Sequence, residues 1–301
     1  MVSARAAEFR QIFVAFQTEV AADASRDGMR HHTARLFAKF GTPIDARHEP
    51  CRAKGVSALW ITPTGASEER VLVYIHGGGY MTGSPSTHAN GAGQLAYRLK
   101  ARALLPDYRL APEHAFPMQI RDCADVYEWL LERGYRPENI VFAGESAGGA
   151  LCITTQQLAQ RRNLPIPAAA FVMSPWLDMD CAGESYQANL GKDSATPEMA
   201  LATWAGYKGV DCDVSDPLLD TLRSDITGVA PFLAQVGGNE ILRDDSVSLV
   251  KQARKYGVTA ELDVVPDMQH MFQLDAGKMP EADAAMDRGA AFLKQYLHAS
   301  E

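Results

Sequence analysis

Gly144-Glu145-Ser146-Ala147-Gly148 fits the G-x-S-x-G spacing that presents a serine oxygen as a nucleophile. That chemistry needs the serine on a sharp turn between a strand and a helix, with its oxygen clear of the chain. Ile140-Val141-Phe142-Ala143 is a short apolar run of strand character, and Leu151 to Arg161 is rich in helix formers and free of proline. Ser146 is therefore predicted at such a turn. Small residues at 144, 147, 148 and 149 permit the bend and leave room beside the oxygen. Glycine and serine also populate ordinary turns, so these residues alone do not separate a nucleophile from a loop.

A second motif decides between the two. The apolar run Val71 to Ile75 empties into His76-Gly77-Gly78-Gly79-Tyr80, a loop whose main-chain N–H groups carry few side chains to shield them. In acyl transfer the carbonyl oxygen becomes an anion, and preorganised N–H donors aimed at it typically supply the largest electrostatic contribution. The N–H groups of Gly78, Gly79 and Ala147 are the expected oxyanion hole.

These motifs resemble those of the hormone-sensitive-lipase-like (bacterial family IV) esterases of the α/β-hydrolase fold. Asp107-Tyr108-Arg109-Leu110-Ala111-Pro112-Glu113, Ser174-Pro175-Trp176-Leu177-Asp178 and Gln269-His270-Met271-Phe272 fit the same family, so the resemblance covers about residues 55 to 298. Glu145 departs from it, standing where Asp or Thr is commoner, and so does Glu240, where an Asp is commoner. The resemblance implies a carboxylic ester hydrolase acting without a cofactor or metal. It also implies that Arg109 and Glu113 anchor the oxyanion loop from below, and that Asp178 is structural.

The base follows from chain order. Of eight histidines, His31, His32 and His48 precede the first core strand, His76 belongs to the glycine loop, and His88 and His114 precede the serine. His298 stands at the chain's end, whereas His270 lies between the strand-like Ala260 to Val265 and a helical pattern over Glu281 to Tyr296. That is the place of the base in the order serine, acid, histidine. Asp216, Glu240, Asp244 and Asp245 are the candidate acids. Asp216-Pro217-Leu218 resembles a string in which the family often carries its acid, but no strand leads into it. Glu240 lies just past the strand-like Phe232 to Gly237, while Asp244 and Asp245 fall where they would cap the next helix. Glu240 is the expected acid, with Asp244 the nearest alternative.

The elements that must position these residues read as strands near 57–62, 71–75, 103–107, 140–143, 168–173, 232–237 and 260–265, with helices between them. Such alternation predicts an α/β fold, a mostly parallel twisted sheet flanked by helices. Phe9, Ile12, Phe13, Phe16 and Val20 recur at helical spacing, and Leu36, Phe37 and Phe40 form a second stripe. By resemblance, residues 1–45 are cap helices over a catalytic domain of residues 46–301, with a second cap insertion at about 179–228. Phe13, Phe16, Trp204 and Tyr207 are expected to wall a pocket for short acyl groups.

Composition bounds the partners. The chain has 301 residues and a net charge of −8, which argues against nucleic acid. Its first twenty residues are interrupted by Arg5, Glu8 and Arg10 and read as neither signal peptide nor membrane helix. Five cysteines, odd in number and without a C-x-x-C pair, fit free thiols in the cytoplasm. The expected partner is a small-molecule ester, and the class leaves room for a homodimer. Lactones, amides, carbamates and aromatic diesters suit the same machinery. A receptor of the gibberellin type also resembles this branch, but such proteins lack the histidine that His270 supplies.

Overall fold

A computed structural model of the protein describes residues 2–23, 25–210 and 212–298. Met1, Ala24, Asp211 and residues 299–301, which fall within the cap and catalytic ranges read from the sequence, lie outside the described residues. Among the latter, Ala46–Ala53 (β1), Val56–Pro63 (β2), Ser67–Ile75 (β3), Ala101–Pro106 (β4), Ile140–Glu145 (β5), Ala169–Met173 (β6), Phe232–Gly237 (β7) and Ala260–Val265 (β8) form one sheet. Its spatial order is β1-β2-β4-β3-β5-β6-β7-β8. β2 runs antiparallel to β1 and β4, and the other pairs are parallel.

The central strands are apolar because both faces of the sheet are covered. On β3, Val71, Val73 and Ile75 face one core while Leu72 and Tyr74 face the other, and Ile140/Phe142 and Val141/Ala143 divide β5 in the same way. This is the period-2 alternation of a strand buried on both sides. Pro85–Leu99 (α3), Met118–Glu132 (α4) and Ala147–Arg161 (α5) cross between strands. From β3 the chain passes through α3 to β4 on one side, and β5 then lies on β3's other side. Strand order reverses there, and the crevice beyond the carboxyl ends at such a switch point is where open α/β sheets bind ligands. The glycine loop leaves the end of β3 and Ser146 leaves the end of β5.

β1 is the one strand the sequence did not signal. Its ARHEPCRA run is polar and holds Pro50, which suits a sheet edge. Lys54 and Gly55 both have positive φ, at 48° and 88°, and close a two-residue hairpin to β2.

Two helical segments sit apart from these layers. Ala4–Ala22 (α1) and Arg26–Phe37 (α2) pack against each other, and each starts on a capping serine, Ser3 and Ser25. Phe9, Phe13, Leu36, Phe37 and Phe40 from both stripes are buried in the core on one side of the sheet. The region 179–228 carries the short Ser185–Ala188 (α6) and the longer Pro197–Lys208 (α7), the latter capped by Thr196. Arg243–Lys255 (α8) and Pro280–Lys294 (α9) complete the helices on the described chain. None of these helices is long and apolar enough to cross a membrane.

Candidate active site

Ser146 sits at the turn from β5 into α5 with φ 56° and ψ −124°, a backbone conformation unusual for a residue with a side chain. Neighbouring packing over-determines it. The Ser146 N–H donates to Met173 O on β6, and its carbonyl accepts from Trp176 N. A Cβ on Gly148 would lie 2.0 Å from Ile75 O, so β3 and the start of α5 can approach this closely only over a glycine. Ser146 makes no side-chain cap to α5, which leaves its oxygen free and the first N–H groups of the helix, Ala147's included, without a capping partner.

Ser146 Oγ lies 3.0 Å from His270 Nε2, and His270 Nδ1 lies 3.1 Å from Glu240 Oε2. The other oxygen of Glu240 accepts from Ser174 Oγ at 2.7 Å and from Gly237 N. With its far side thus satisfied, the fully buried carboxylate is fixed with one oxygen on the imidazole. Burial disfavours the imidazolium. The hydrogen bond and charge of Glu240, with Asp193 and Glu145 behind them, more than offset that and hold His270 above the usual histidine value. Burial also raises the Glu240 carboxyl against the pull of His270. Three donors converge on this carboxylate, which keeps it the charged, accepting member of the pair.

The other candidate acids have different partners. Asp216 accepts from Leu218 N and faces Arg161, while Asp244 accepts from Ser185 N and pairs with Arg243. Asp245 is buried on the N–H groups of Leu177 and Asp178, and burial lifts its carboxyl to about 7 despite those bonds. Neither Asp244 nor Asp245 caps α8, whose first turn has no side-chain cap, so the capping role predicted for them is corrected. Asp178 takes the N–H groups of Asp180, Ala182 and Gly183 and shapes the turn into the 179–228 region.

Gly78 and Gly79, with φ of 103° and 61°, curl the loop over Ser146, and no described group accepts from their N–H. A Cβ on Gly78 would meet Thr82 O at 2.4 Å. The loop is held chiefly by Glu145, whose carboxylate accepts from Gly77 N and, at 2.7 Å, from Tyr74 Oη. His88 Nε2 stands 2.9 Å from the same carboxylate as a close contact rather than an aligned hydrogen bond. His76 donates from Nδ1 to Gly77 O and stacks on Tyr108, whose hydroxyl donates to His76 O. Burial, with His88 beside it, pushes His76 down to about 3, so it stays neutral.

The anchoring expected of Arg109 and Glu113 is corrected in its details. Arg109 turns away from the loop and binds Asp122 on α4 through both its backbone N–H and its guanidinium. Glu113 is exposed and pairs with Arg26 and Arg30 of α2. Arg30, not Glu113, reaches the glycine loop, donating to Met81 O at 3.0 Å. The 107–113 segment does brace that loop, through the Tyr108 hydroxyl and through Ala111 N on Tyr80 O.

A cavity of about 260 Å³ opens onto Ser146, His270, Gly78 and Gly79. Phe13, Phe16 and Val20 of α1, Met29 and Phe37 of α2, and Met199 and Thr203 of α7 enclose it. Trp204 and Tyr207 do not line it, contrary to the sequence reading. Tyr207 lies one turn beyond Thr203, at the carboxyl end of α7, and stacks on Tyr80, with ring centroids 3.7 Å apart. On a helix, 204 leaves the face that 199 and 203 share, whereas 207 keeps it but stands a turn further along, where Tyr80 takes up its ring.

Residues 72–274 match the family model for the alpha/beta hydrolase fold. The chain is 33% identical to an acetyl-hydrolase of Streptomyces hygroscopicus over 79% of each chain. It superposes with a TM-score of 0.93 on the solved structure of an esterase from the bacterial hormone-sensitive lipase family, at 34% identity and over 99% of this chain and 100% of that one. For EstE5, solved after soaking with p-nitrophenyl butyrate, the TM-score is 0.88 at 31% identity, over 97% of this chain and 99% of that one. Sheet order, matched segment and relatives agree, and the chain belongs to the hormone-sensitive-lipase-like esterases, carboxylic ester hydrolases of the α/β-hydrolase fold.

Proposed function

We propose that the protein hydrolyses short-chain acyl esters through a Ser146-His270-Glu240 triad. The observation that carries this reading is the unbroken chain of contacts from Glu240 through His270 to Ser146 at the floor of a small apolar cavity. Ser146 Oγ attacks the ester carbonyl as its proton passes to His270 Nε2. The N–H groups of Gly78, Gly79 and Ala147 hold the resulting oxyanion. Collapse expels the alcohol, which takes the proton from His270, and a water deprotonated by the same nitrogen then cleaves the acyl-enzyme. Glu240 holds the imidazole in the right tautomer and offsets the charge it gains.

Size supports the short acyl group. Pockets for drug-sized ligands hold about 300–1,000 Å³, and about 260 Å³ falls below that range. That EstE5 was soaked with p-nitrophenyl butyrate, itself a short-chain ester, supports the same choice. Residues 1–45 act as a first cap and about 179–228 as a second over the catalytic unit 46–301, because α1, α2, α7 and the turn leading into α7 together supply most of the cavity wall. The five free cysteines suit a reducing, cytoplasmic setting.

The test is a series of p-nitrophenyl esters from acetate to palmitate without detergent. Each buried methylene adds about 0.8 kcal/mol until the cavity is full, so kcat/KM should rise and then fall within the short acids. Ser146→Ala should abolish turnover, and a sulfonyl fluoride should label Ser146 alone. A palmitate optimum would refute the size argument, and an active Ser146→Ala enzyme the triad.

A further inference from the structure

The loops that carry Glu240 and His270 leave different strands, β7 and β8, and something must hold them in register. Asp193, in the turn between α6 and α7, is placed to do so. Its Oδ1 accepts from the backbone N–H of His270 at 2.9 Å, and its Oδ2 accepts from the backbone N–H of Ile241, the residue after Glu240, at 2.8 Å. One carboxylate thus spans the two loops, with an oxygen on each. Oδ1 also takes Ser194 N at 2.7 Å, which fixes the carboxylate's own orientation. Asn189, one turn earlier, donates from Nδ2 to Glu240 O at 2.8 Å and to Gly238 O at 3.2 Å. Helix α1 grips the same turn from outside, where Arg10 donates to Gly191 O and Gln17 to Ser194 O.

We propose that Asp193 is a positioning residue for ester hydrolysis, a cap-borne carboxylate that clamps the base loop to the acid loop and so aligns His270 between Ser146 and Glu240. The proposal rests on the triad reading above. Hydrogen bonds to an ionised acceptor are short and roughly twice as strong as neutral ones, so two on one rigid carboxylate define a distance between loops that neither strand defines alone. The same charge acts on the imidazolium. The acidic groups facing His270 are Glu240 from the β7 loop, Asp193 from the cap turn and Glu145 from the end of β5, and each favours its protonated form.

Asp193→Asn keeps the volume and one accepting oxygen but loses the charge and offers an N–H₂ where a second acceptor stood. Misalignment of this kind costs about 10- to 100-fold. We expect kcat for p-nitrophenyl butyrate to fall by that amount with KM within about threefold, since Asp193 is not among the cavity-lining residues. The acid limb of the kcat profile should shift to lower pH, because His270 loses one of three nearby negative charges. Asp193→Glu, which restores the charge with an arm one methylene longer, should lower kcat while leaving the limb in place. Second-order inactivation by phenylmethanesulfonyl fluoride should slow in parallel with kcat, and melting temperatures recorded beside each assay separate misalignment from unfolding. Wild-type kcat and pH limb in Asp193→Asn would overturn the clamp, as would losses that follow the unfolded fraction alone. Ser146→Ala run in the same series keeps the two readings apart. If it is inactive while Asp193→Asn is normal, only the clamp fails; if it is active, the triad itself fails.

Discussion

The floor beneath Ser146 and the proposed cap above it are built on opposite physical plans. In the floor, polar groups are buried and held: Glu145, Glu240, Ser174 and His88 have almost no exposure, and Tyr74, Gly77 and Gly237 donate onto the two carboxylates. In the cap the contacts to the cavity are mostly apolar, and the ion pair from α2 to the 107–113 segment, Arg30 with Glu113, is 29% and 36% exposed. A buried acceptor removed from its donors costs the full desolvation of the groups left behind, whereas an exposed ion pair exchanges with water. Substitutions in the floor should therefore alter catalysis steeply, while those in the cap should alter which substrate is accepted.

The largest effect tests the floor at the proposed triad. Glu240→Gln removes the charge opposite the imidazolium and presents an amide where a carboxylate oxygen should be, so kcat should fall by roughly 10³- to 10⁴-fold with the fold retained. The residual activity should also change its pH dependence. In the proposed mechanism His270 works as a base only when neutral, so activity should be lost as pH falls through its pKa, which Glu240 holds above the usual value. Without that charge, burial prevails and the acid limb should move to lower pH. Asp244→Asn is the comparison and should stay within about threefold of the parent, since its carboxylate serves Ser185 and Arg243. If Asp244→Asn inactivates a folded enzyme and Glu240→Gln does not, the acid has been misassigned.

Next comes the oxyanion loop. Glu145→Leu strands the Gly77 N–H and the Tyr74 hydroxyl in a site without water access and frees the loop that carries Gly78 and Gly79. Loss of one oxyanion donor typically costs about 10²- to 10³-fold in kcat, and a displaced loop should approach the lower figure. Glu145→Gln keeps a carbonyl oxygen for Gly77 and should fall between Leu and the parent. Equal kcat values for Gln and Leu would mean that charge, not the acceptor, is what the loop requires.

Legibility in the sequence divided along the same boundary. Ser146, His270, Glu240 and the glycine loop could be read because acyl transfer demands particular residue types at fixed offsets from strand ends, and apolar alternation located those ends. Glu145 stands inside the motif and reads only as a departure from it; that it holds the loop rests on its bonds to Gly77 and Tyr74, which the fold brings to it from β3 and the loop beyond. Arg109 and Glu113 lie in a recognisable string, yet Arg109 answers to Asp122 and Glu113 to Arg30, 83 residues earlier. Which helix docks on a loop is a property of packed surfaces and leaves no local spacing to read. β1 was missed for a related reason, since an edge strand needs no apolar run. Bulk points to Trp204 and Tyr207 as the cavity wall of α7, but the Tyr207 ring seats the helix on Tyr80 and the Trp204 ring packs on Tyr207.

The cap's contribution to selection can be measured at Phe16. Its ring lines the cavity from α1 and is only partly buried, so truncation enlarges the cavity without leaving a sealed void. Phe16→Ala should leave kcat/KM for acetate within about threefold. It should move the optimum toward longer acids, with a gain of up to about fourfold for each newly buried methylene, the equivalent of ~0.8 kcal/mol. An unchanged chain-length profile would show that acyl length is limited elsewhere, and a collapse of acetate turnover would show that the cap takes part in catalysis.

The smallest effect belongs to the Arg30–Glu113 latch, although its charges look strongly coupled. The Arg30 hydrogen bonds, helped by the residue's own backbone N–H and by the charge of Arg26, hold Glu113 down at about 2. A depressed carboxyl stabilises the fold above its unfolded pKa and loses that contribution as pH falls through its folded value. Here that window runs from about 4.5 down to about 2. Both side chains are open to solvent, so screening reduces the benefit to the ~0–1 kcal/mol typical of surface pairs. Glu113→Gln should therefore lower the melting temperature at pH 7 by no more than about 3 °C, and the difference from the parent should shrink below about pH 4.5 and vanish only below about pH 2. Activity on acetate should barely move, because Arg30 keeps its bonds to Met81 O and Ala111 O. A large loss of kcat in Glu113→Gln, measured below the melting transition, would erase the division between floor and cap and make the latch part of the oxyanion loop's support.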